Sequence, residues 1–370
     1  MNRMMRRSGL VWGLLTAVGC GGVEGSPAPE TQAVESLKTE RQAATSGSWT
    51  VTSPMQTGRA MTGAALLDSG LVLVMGGTST FPFALSELYN PYTNTWQTTG
   101  NLVFPRYNFS TVKLASGKIL VSGGWDFYYM LSGSETYDPA TGSWSYAGSL
   151  SKRRNGHQST LLQSGKVLVT GGEVEYRDGP DVHFDPATTA ELYDPETSKW
   201  SSAGDLGFGT TGSIPVLLYS GEVMLLSGSR VDLYNPATNS WRANGSTPAY
   251  IPRGATATRL YSGEVMVVGG NYSDTRTFLY NPYSNQWREG PPTLQMHSAH
   301  TATLLYSGKL LIAGHGSTEI FDPGTNTWSQ RDSSPLECTE CTPVLLHTGS
   351  VMLAGSKGYI PPNTMAIFTP

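Results

Sequence analysis

One segment recurs seven times along this chain, and that repetition constrains the fold more than anything else in the sequence. DSGLVLVMGG ends at Gly77, ASGKILVSGG at Gly124 and QSGKVLVTGG at Gly172. YSGEVMLLSG, YSGEVMVVGG, YSGKLLIAG and HTGSVMLAG end at Gly228, Gly270, Gly314 and Gly355. A second segment follows each: ELYNPYTNTW (87–96), ETYDPATGSW (135–144), ELYDPETSKW (191–200), DLYNPATNSW (232–241), FLYNPYSNQW (278–287) and EIFDPGTNTW (319–328). The seventh copy, AIFTP (366–370), has no Trp. Trp49, in GSWTVTSPM, supplies the missing one from the other end. The tryptophans Trp49, Trp96, Trp144, Trp200, Trp241, Trp287 and Trp328 stand 41 to 56 residues apart. A unit of that size cannot bury its apolar face alone, so the copies must pack on one another.

Each repeat reads as strands. The run after Ser-Gly is short, β-branched and apolar at successive positions, which suits a strand covered on both faces. The next run, such as Glu87-Leu88-Tyr89, alternates. Asn90-Pro91 or Asp138-Pro139 then makes a turn, because the Asx side chain bonds its own backbone and Pro presets φ. The chain returns through the Trp strand, and a further strand such as 60–67 leads into the next copy. That gives four antiparallel strands per repeat, the content of one propeller blade. The chain holds 43 Gly and 23 Pro, about 18% together, an excess that fits many turns and short strands. The second Gly of the doublet is present in all seven copies, whereas the first becomes Ser227, Ala313 and Ala354 in three. The second position therefore needs positive φ or close backbone approach, and the first needs only a small residue.

The double Gly, the Asx-Pro turn and the spaced Trp resemble kelch repeats, the motif of the galactose-oxidase-like central propeller. The resemblance covers 48–370. It implies an all-β, seven-bladed β-propeller around a channel, the ring closed by an N-terminal outermost strand in which Trp49 pairs with 364–368. Closure would remove the exposed sheet edges. A propeller fold says little about activity.

Residues 1–7 carry Arg3, Arg6 and Arg7, and 8–19 are apolar but too short to span a bilayer. This is the pattern of a signal peptide over 1–19. Ala17-Val18-Gly19-Cys20 resembles a bacterial lipobox, with Ala17 in place of the usual Leu, and implies lipidation at Cys20. Residues 20–47, rich in Gly, Ser, Ala, Pro, Thr and Glu, cannot bury enough apolar area to offset ordering entropy and read as a flexible tether. The expected location is the outer membrane or cell surface, with the lipid as the sole membrane contact and the domain a monomer. Without residues 1–19 the chain has 21 basic and 28 acidic residues. No basic stripe exists to neutralise phosphates, which argues against nucleic acid.

The resemblance raises a copper radical oxidase. That family uses two His ligands, two Tyr ligands and a Cys crosslinked to one Tyr. None of the six histidines here follows a Tyr, so no catalytic residue, metal or cofactor is assigned. Aligned on Ser-Gly, His297 falls where other copies have Arg59, Arg106 and Arg154, and His300 falls where the third has His157. Kelch repeats carry R-x-x-H there, so these histidines read as scaffold. Cys338 and Cys341 occupy the same two positions in the last copy. Two cysteines do not complete a zinc site, and a local disulfide is expected. It requires a turn, since three extended residues span about 10 Å and a disulfide needs Cα atoms within about 7 Å.

The loops after the Gly doublets differ in every copy. They hold Phe81 and Phe83 in the first, Trp125, Asp126, Phe127, Tyr128 and Tyr129 in the second, and Tyr176 and Arg177 in the long 173–190 loop of the third. The fifth adds Tyr272 and Arg276, and the seventh Tyr359. The acid-rich 173–190 loop matches no D-x-D-x-D-G calcium spacing. Such loops share one rim, so the aromatics should cluster, and exposed clustered aromatics mean binding. The expectation is a non-enzymatic, surface-anchored propeller binding a protein or glycan, with Asp126, Arg177 and Arg276 orienting the ligand. The alternative is a secreted carbohydrate-active or galactose-oxidase-like enzyme.

Overall fold

The computed structural model describes residues 47–370 except 179–180, 271–273, 315, 337, 340 and 356–362, with backbone alone at 177 and 178. The expected signal peptide, Cys20, most of the expected tether, Tyr272 and Tyr359 lie outside the described residues. Among the described residues every regular element is a strand. Eight antiparallel sheets form, seven of them from the repeats. We call the strands of a repeat a to d, from the one before Ser-Gly to the Trp strand. In the first repeat they are Gly63–Leu66, Val72–Met75, Ser86–Asn90 and Thr95–Thr98, hydrogen-bonded in that order.

Strand b is buried at every position in this sheet and in sheets 2 and 3, as a run of successive β-branched and apolar residues requires. On strands c and d an aromatic pair faces across the ladder in all seven sheets, with ring centroids 4.9–5.3 Å apart, from Tyr89–Trp96 to Phe368–Trp49. Such cross-strand pairs are the unit of sheet stabilisation. Between c and d the Asx residue accepts the amide two residues on, as at Asn90, Asp138 and Asn281, each at 2.9 Å.

Sheet 7 takes its d strand from the start of the domain. Ser48–Val51 pairs with Ala366–Thr369, with Trp49 opposite Phe368. The indoles extend the order from sheet to sheet: Trp49 donates to the carbonyl of Asp332 beyond strand d of sheet 6, and Trp96 donates to the carbonyl of Ser53 beyond the Trp49 strand. The a strands pack side by side in sequence order, and Thr342–Leu345 of sheet 7 also packs against Gly63–Leu66 of sheet 1. One cavity of about 550 Å³ is lined by residues from all seven a strands or the segments leading into them.

A buried ion pair locks the start of strand a to strand c. Arg106, fully buried, donates to the carbonyls of Gly123 (2.7 Å) and Gly133 (2.9 Å) and to Glu135 (2.6 Å). Glu135 also accepts the amides of Val103 and Phe104, fixing the chain that crosses from sheet 1. Burial pulls the Arg106 guanidinium below its ordinary pKa, and the charge of Glu135 opposes that shift. Arg59–Glu87 and Arg154–Glu191 repeat the arrangement, and in sheet 6 it becomes His297–Glu319 at 2.9 Å. In repeats 5 and 7 both partners change together, to Pro252 with Phe278 and to Cys338 with Ala366. In repeat 4 Thr210 replaces the Arg, and Asp232 pairs with Arg230 instead, at 2.7 Å.

Two features depart from the sequence expectation. In repeats 1, 2, 3 and 5 the first Gly of the doublet takes positive φ, so it needs more than small size there, whereas Ser227, Ala313 and Ala354 serve in repeats 4, 6 and 7. At Gly123 φ is +60°, and an added Cβ would lie 2.3 Å from the carbonyl oxygen of Arg154 in the next repeat. Gly124 then donates its amide to that same oxygen at 2.8 Å, so the doublet is where consecutive repeats touch. The 173–190 segment is not a plain loop either. It holds a hairpin, Glu173–Asp178 against Asp181–Pro186, extended by a two-residue strand Arg154–Asn155. Its Val, Tyr and Phe content and the Asp-Gly-Pro-Asp turn sequence favour paired strands over irregular chain.

Candidate ligand-binding rim

The loops between strands b and c and the crossings from d to a lie together. Leu102 donates to the carbonyl of Ala84, and Arg106 to that of Phe83, so the crossing into sheet 2 runs along the loop of sheet 1. The loop of sheet 2 is held at its base by Tyr107 and Trp125, whose backbones exchange two hydrogen bonds of 2.9 and 3.0 Å. Asp126 accepts the amides of Tyr128 (2.9 Å) and Tyr129 (2.7 Å), and Phe127 takes φ +86°. The turn therefore presents three consecutive aromatic side chains outward, at 49, 73 and 51% exposure.

Those rings form a continuous path. Phe81 of repeat 1 lies 5.7 Å from Phe127, Phe127 lies 5.4 Å from Tyr128, and Tyr128 lies 6.5 Å from Tyr129. The guanidinium of Arg153, on the crossing into sheet 3, lies 5.6 Å from the Tyr129 ring centre and 3.6 Å from Glu175. Half-buried Trp125 packs on Phe184 of the hairpin at 5.2 Å, and Tyr176 faces His183 across the hairpin. A cavity of about 490 Å³ lies between the crossing at Ser151–Arg153 and the hairpin, with Tyr176 in its wall.

The structure thus brings Trp125, Phe127, Tyr128 and Tyr129 together with aromatics of repeats 1 and 3. Arg177 is placed on the hairpin by its backbone, opposite Val182, and its side chain lies outside the described residues. Two of the expected ligand contacts also have partners within their own loops. Asp126 accepts the amides of Tyr128 and Tyr129 at Oδ1. Arg276 pairs with Asp274 at 2.7 Å within the loop of sheet 5, and the same contact holds the Asp274 carboxyl below its usual range. Phe104, Arg153 and Phe184 join the rim without having been singled out. The alternation in Val182-His183-Phe184 was the available signal for the last.

Cys338 and Cys341 form a disulfide with Cα atoms 5.5 Å apart. His157 and His300 face hydroxyls: His157 Nε2 lies 2.9 Å from Ser110 Oγ, and His300 Nε2 lies 2.8 Å from Thr256 Oγ1. Burial, with Arg154 and Arg106 nearby, drives the His157 pKa down to about 3. Among the described residues no three His, Cys, Asp or Glu side chains gather as metal donors.

The fold is that of a β-propeller with kelch-like repeats. A solved fungal alcohol oxidase of the AA5 family, in complex with copper, superposes over 88% of this chain and 76% of its own with a TM-score of 0.71 at 15% identity. Kelch-like protein 25 from Xenopus tropicalis is 26% identical over 166 residues, which are 39% of this chain. The match spans about a quarter of that relative (27%). No family model matches. Among the described residues, no tyrosine lines the central cavity, and its two histidines turn Nε2 to neighbouring hydroxyls. These described cavity residues do not supply the His and Tyr donor set that a copper site of that kind uses.

Proposed function

We propose that this chain is a surface-anchored, non-enzymatic binding module. In this reading it is a monomeric, seven-bladed propeller closed by the Trp49 strand and tethered by a lipid on Cys20. It captures a protein partner through the rim of repeats 1 to 3. The pairing of Ser48–Val51 with Ala366–Thr369 and the contact between the first and seventh a strands support closure. The observation that carries the function is the exposed path Phe81–Phe127–Tyr128–Tyr129. A monomer gains nothing by exposing contiguous aromatics unless something covers them.

Protein is favoured over glycan on this rim because Phe81, Phe127 and Tyr128 meet at interplanar angles of 57 and 83°, a corrugated apolar surface without a flat platform for a sugar face. Arg153 beside Tyr129 adds the Arg-and-aromatic composition enriched in protein interfaces. The test probes surface-protein and glycan arrays with the full-length chain and with Phe127→Ala/Tyr128→Ala. Binding should concentrate on proteins and vanish in the variant, with its thermal transition within about 2 °C of wild type, the shift that about 1 kcal/mol produces in a domain of this size. Binding that survives the substitution, or binding to glycans alone that the substitution abolishes, refutes the proposal.

A further inference from the structure

The opposite face, where the a–b and c–d turns lie, carries a second set of aromatics. The residue before Ser-Gly is Tyr219, Tyr261 and Tyr306 in repeats 4, 5 and 6, against Asp68, Ala115, Gln163 and His347 elsewhere. Each of these three tyrosines lies beside the turn glycine of the following repeat. The nearest ring atom is 3.2 Å from a Cβ built on Gly263 for Tyr219, 3.2 Å from one on Gly308 for Tyr261, and 3.8 Å from one on Gly349 for Tyr306. The tyrosines therefore form an arc, one per repeat, at 47, 57 and 57% exposure. Tyr283, on the c–d turn of repeat 5, reaches the same Gly263 from the other side, 3.1 Å from that Cβ position, and is 74% exposed. None of these rings is needed to make its turn, since Asp, Ala, Gln and His serve at the same position in other repeats.

Between Tyr219 and Tyr283 the surface opens into a cavity of about 250 Å³. That is below the about 300–1,000 Å³ of drug-sized sites, a volume suited to a single sugar ring. Behind the two tyrosines stands a connected polar wall. Asn244 Nδ2 donates to Tyr280 Oη (2.7 Å) and Asn285 Oδ1 (3.1 Å), and Arg242 donates to Asn244 Oδ1 (3.1 Å) and Glu222 (3.1 Å). The ionic groups of the arc are balanced within each repeat: Arg242 with Glu222, Arg288 with Glu264, Lys309 with Asp322. The remaining cation, Arg259, lies 4.1 Å from the Tyr219 ring centre and donates to the carbonyl of Leu217, which braces that ring. Charge on this surface is consumed internally, whereas aromatic faces and amides remain.

We propose that this cleft between repeats 4 and 5 binds a neutral glycan, one sugar ring seated against Tyr219 and Tyr283 and further units running along Tyr261 and Tyr306. The axial C–H face of a pyranose is apolar and slightly positive, so it stacks on the negative face of an aromatic ring. The ring hydroxyls find donors in the Asn285 amide and in the guanidinium hydrogens that Arg242 does not give to Asn244 and Glu222. An acidic polymer or nucleic acid gains little here, because the cations are already paired or capped.

The full-length chain in detergent is titrated calorimetrically with the hexaoses of β-glucose, α-glucose, xylose and mannose, and with polygalacturonate. At least one neutral hexaose should bind, with affinity changing less than about twofold between about 0.05 and 0.5 M NaCl, as uncharged recognition requires. Tyr283→Ala, at a highly exposed turn position, should weaken binding about tenfold without altering the melting curve, consistent with loss of one stacking partner. Tyr219→Phe should retain it. Phe127→Ala/Tyr128→Ala, on the other rim, should leave it unchanged, which separates this site from the protein-binding one. Binding of polygalacturonate alone, no binding by any neutral hexaose, or retention of full affinity in Tyr283→Ala overturns the proposal.

Discussion

The Arg106–Glu135 pair permits a sharp energetic test, because the chain contains its own hydrophobic replacement. Arg106 and Glu135 are 0 and 1% exposed at the side chain, and the guanidinium also satisfies two carbonyls. Arg106→Met leaves a buried carboxylate and two acceptors without their donor, which costs about 3–5 kcal/mol. Glu135→Leu leaves the buried guanidinium unpaired and should cost a similar amount. The double substitution removes both charges together, as repeat 5 does with Pro252 and Phe278 and repeat 7 with Cys338 and Ala366. Its residual cost comes from the carbonyls of Gly123 and Gly133, which lose the guanidinium donor, and from the amides of Val103 and Phe104, which lose their acceptor. We expect the double variant to be more stable than the sum of the singles by at least about 2 kcal/mol. Urea unfolding followed by tryptophan fluorescence and far-UV circular dichroism reads all four proteins, with coincident transitions required for the comparison. Additivity within about 0.5 kcal/mol, or single variants that each cost less than about 1 kcal/mol, would refute the view that these groups act as one unit.

Two further outcomes follow from the same packing. His157, neutral when folded with a pKa of about 3 against an ordinary 6.5, gives an unfolded state that binds the extra proton. Stability should therefore fall as pH drops below 6.5, at up to about 1.4 kcal/mol per unit. Urea midpoints between about pH 6.5 and pH 5, above the ordinary carboxylate range of about 4, should show a shallower slope for His157→Gln; equal slopes would remove His157 as the cause. Deleting 1–53 should destabilise the domain by more than about 3 kcal/mol, since it strips the Trp49 ring and its ladder from fully buried Phe368. Deleting 1–44 should leave the melting temperature unchanged, and equal melting temperatures for the two truncations would dispose of closure by this strand.

The scaffold was legible because its residues repeat. The buried b strands, the Asx turns and the Trp strand each follow from local chemistry that seven copies restate, and unpaired Trp49 pointed to its strand partner. What escaped was pairwise or long-range. The first Gly of the doublet looked merely small, because its constraint is a carbonyl in the next repeat, Arg154 in the case of Gly123. The bonds that Asp126 Oδ1 accepts from its own loop escaped notice, because an Asx turn within a loop leaves no apolar pattern to read. The 173–190 segment hid a hairpin because its acids masked the β-forming residues between them. The rim was found through aromatic content, but its membership was not: Phe184 reaches Trp125 only through the hairpin's fold-back.

A distinction within the repeats now separates scaffold from surface. Where one repeat departs from the others and a second position departs with it, the change is structural. Lys118 and Lys166 pair with Asp138 and Asp194. In repeats 4 and 5 the same Lys position becomes Glu222 and Glu264, the Asp becomes Asn235 and Asn281, and Arg242 and Arg288 appear on strand d to restore the bridge. Each reversal has its compensation a few ångströms away, as do the losses of Arg and Glu at Pro252 and Phe278. Tyr219 is matched by Arg259, 4.1 Å from its ring, at the positions where Asp68 meets Lys113, whereas among the described residues Tyr261, Tyr306 and Tyr128 have no such charged counterpart in their repeats. They are large and apolar where water would favour a small polar residue, and no inward contact requires them. The two proposed ligands rest on the contrast between the two faces, one Phe-rich and the other Tyr-rich over neutralised charge.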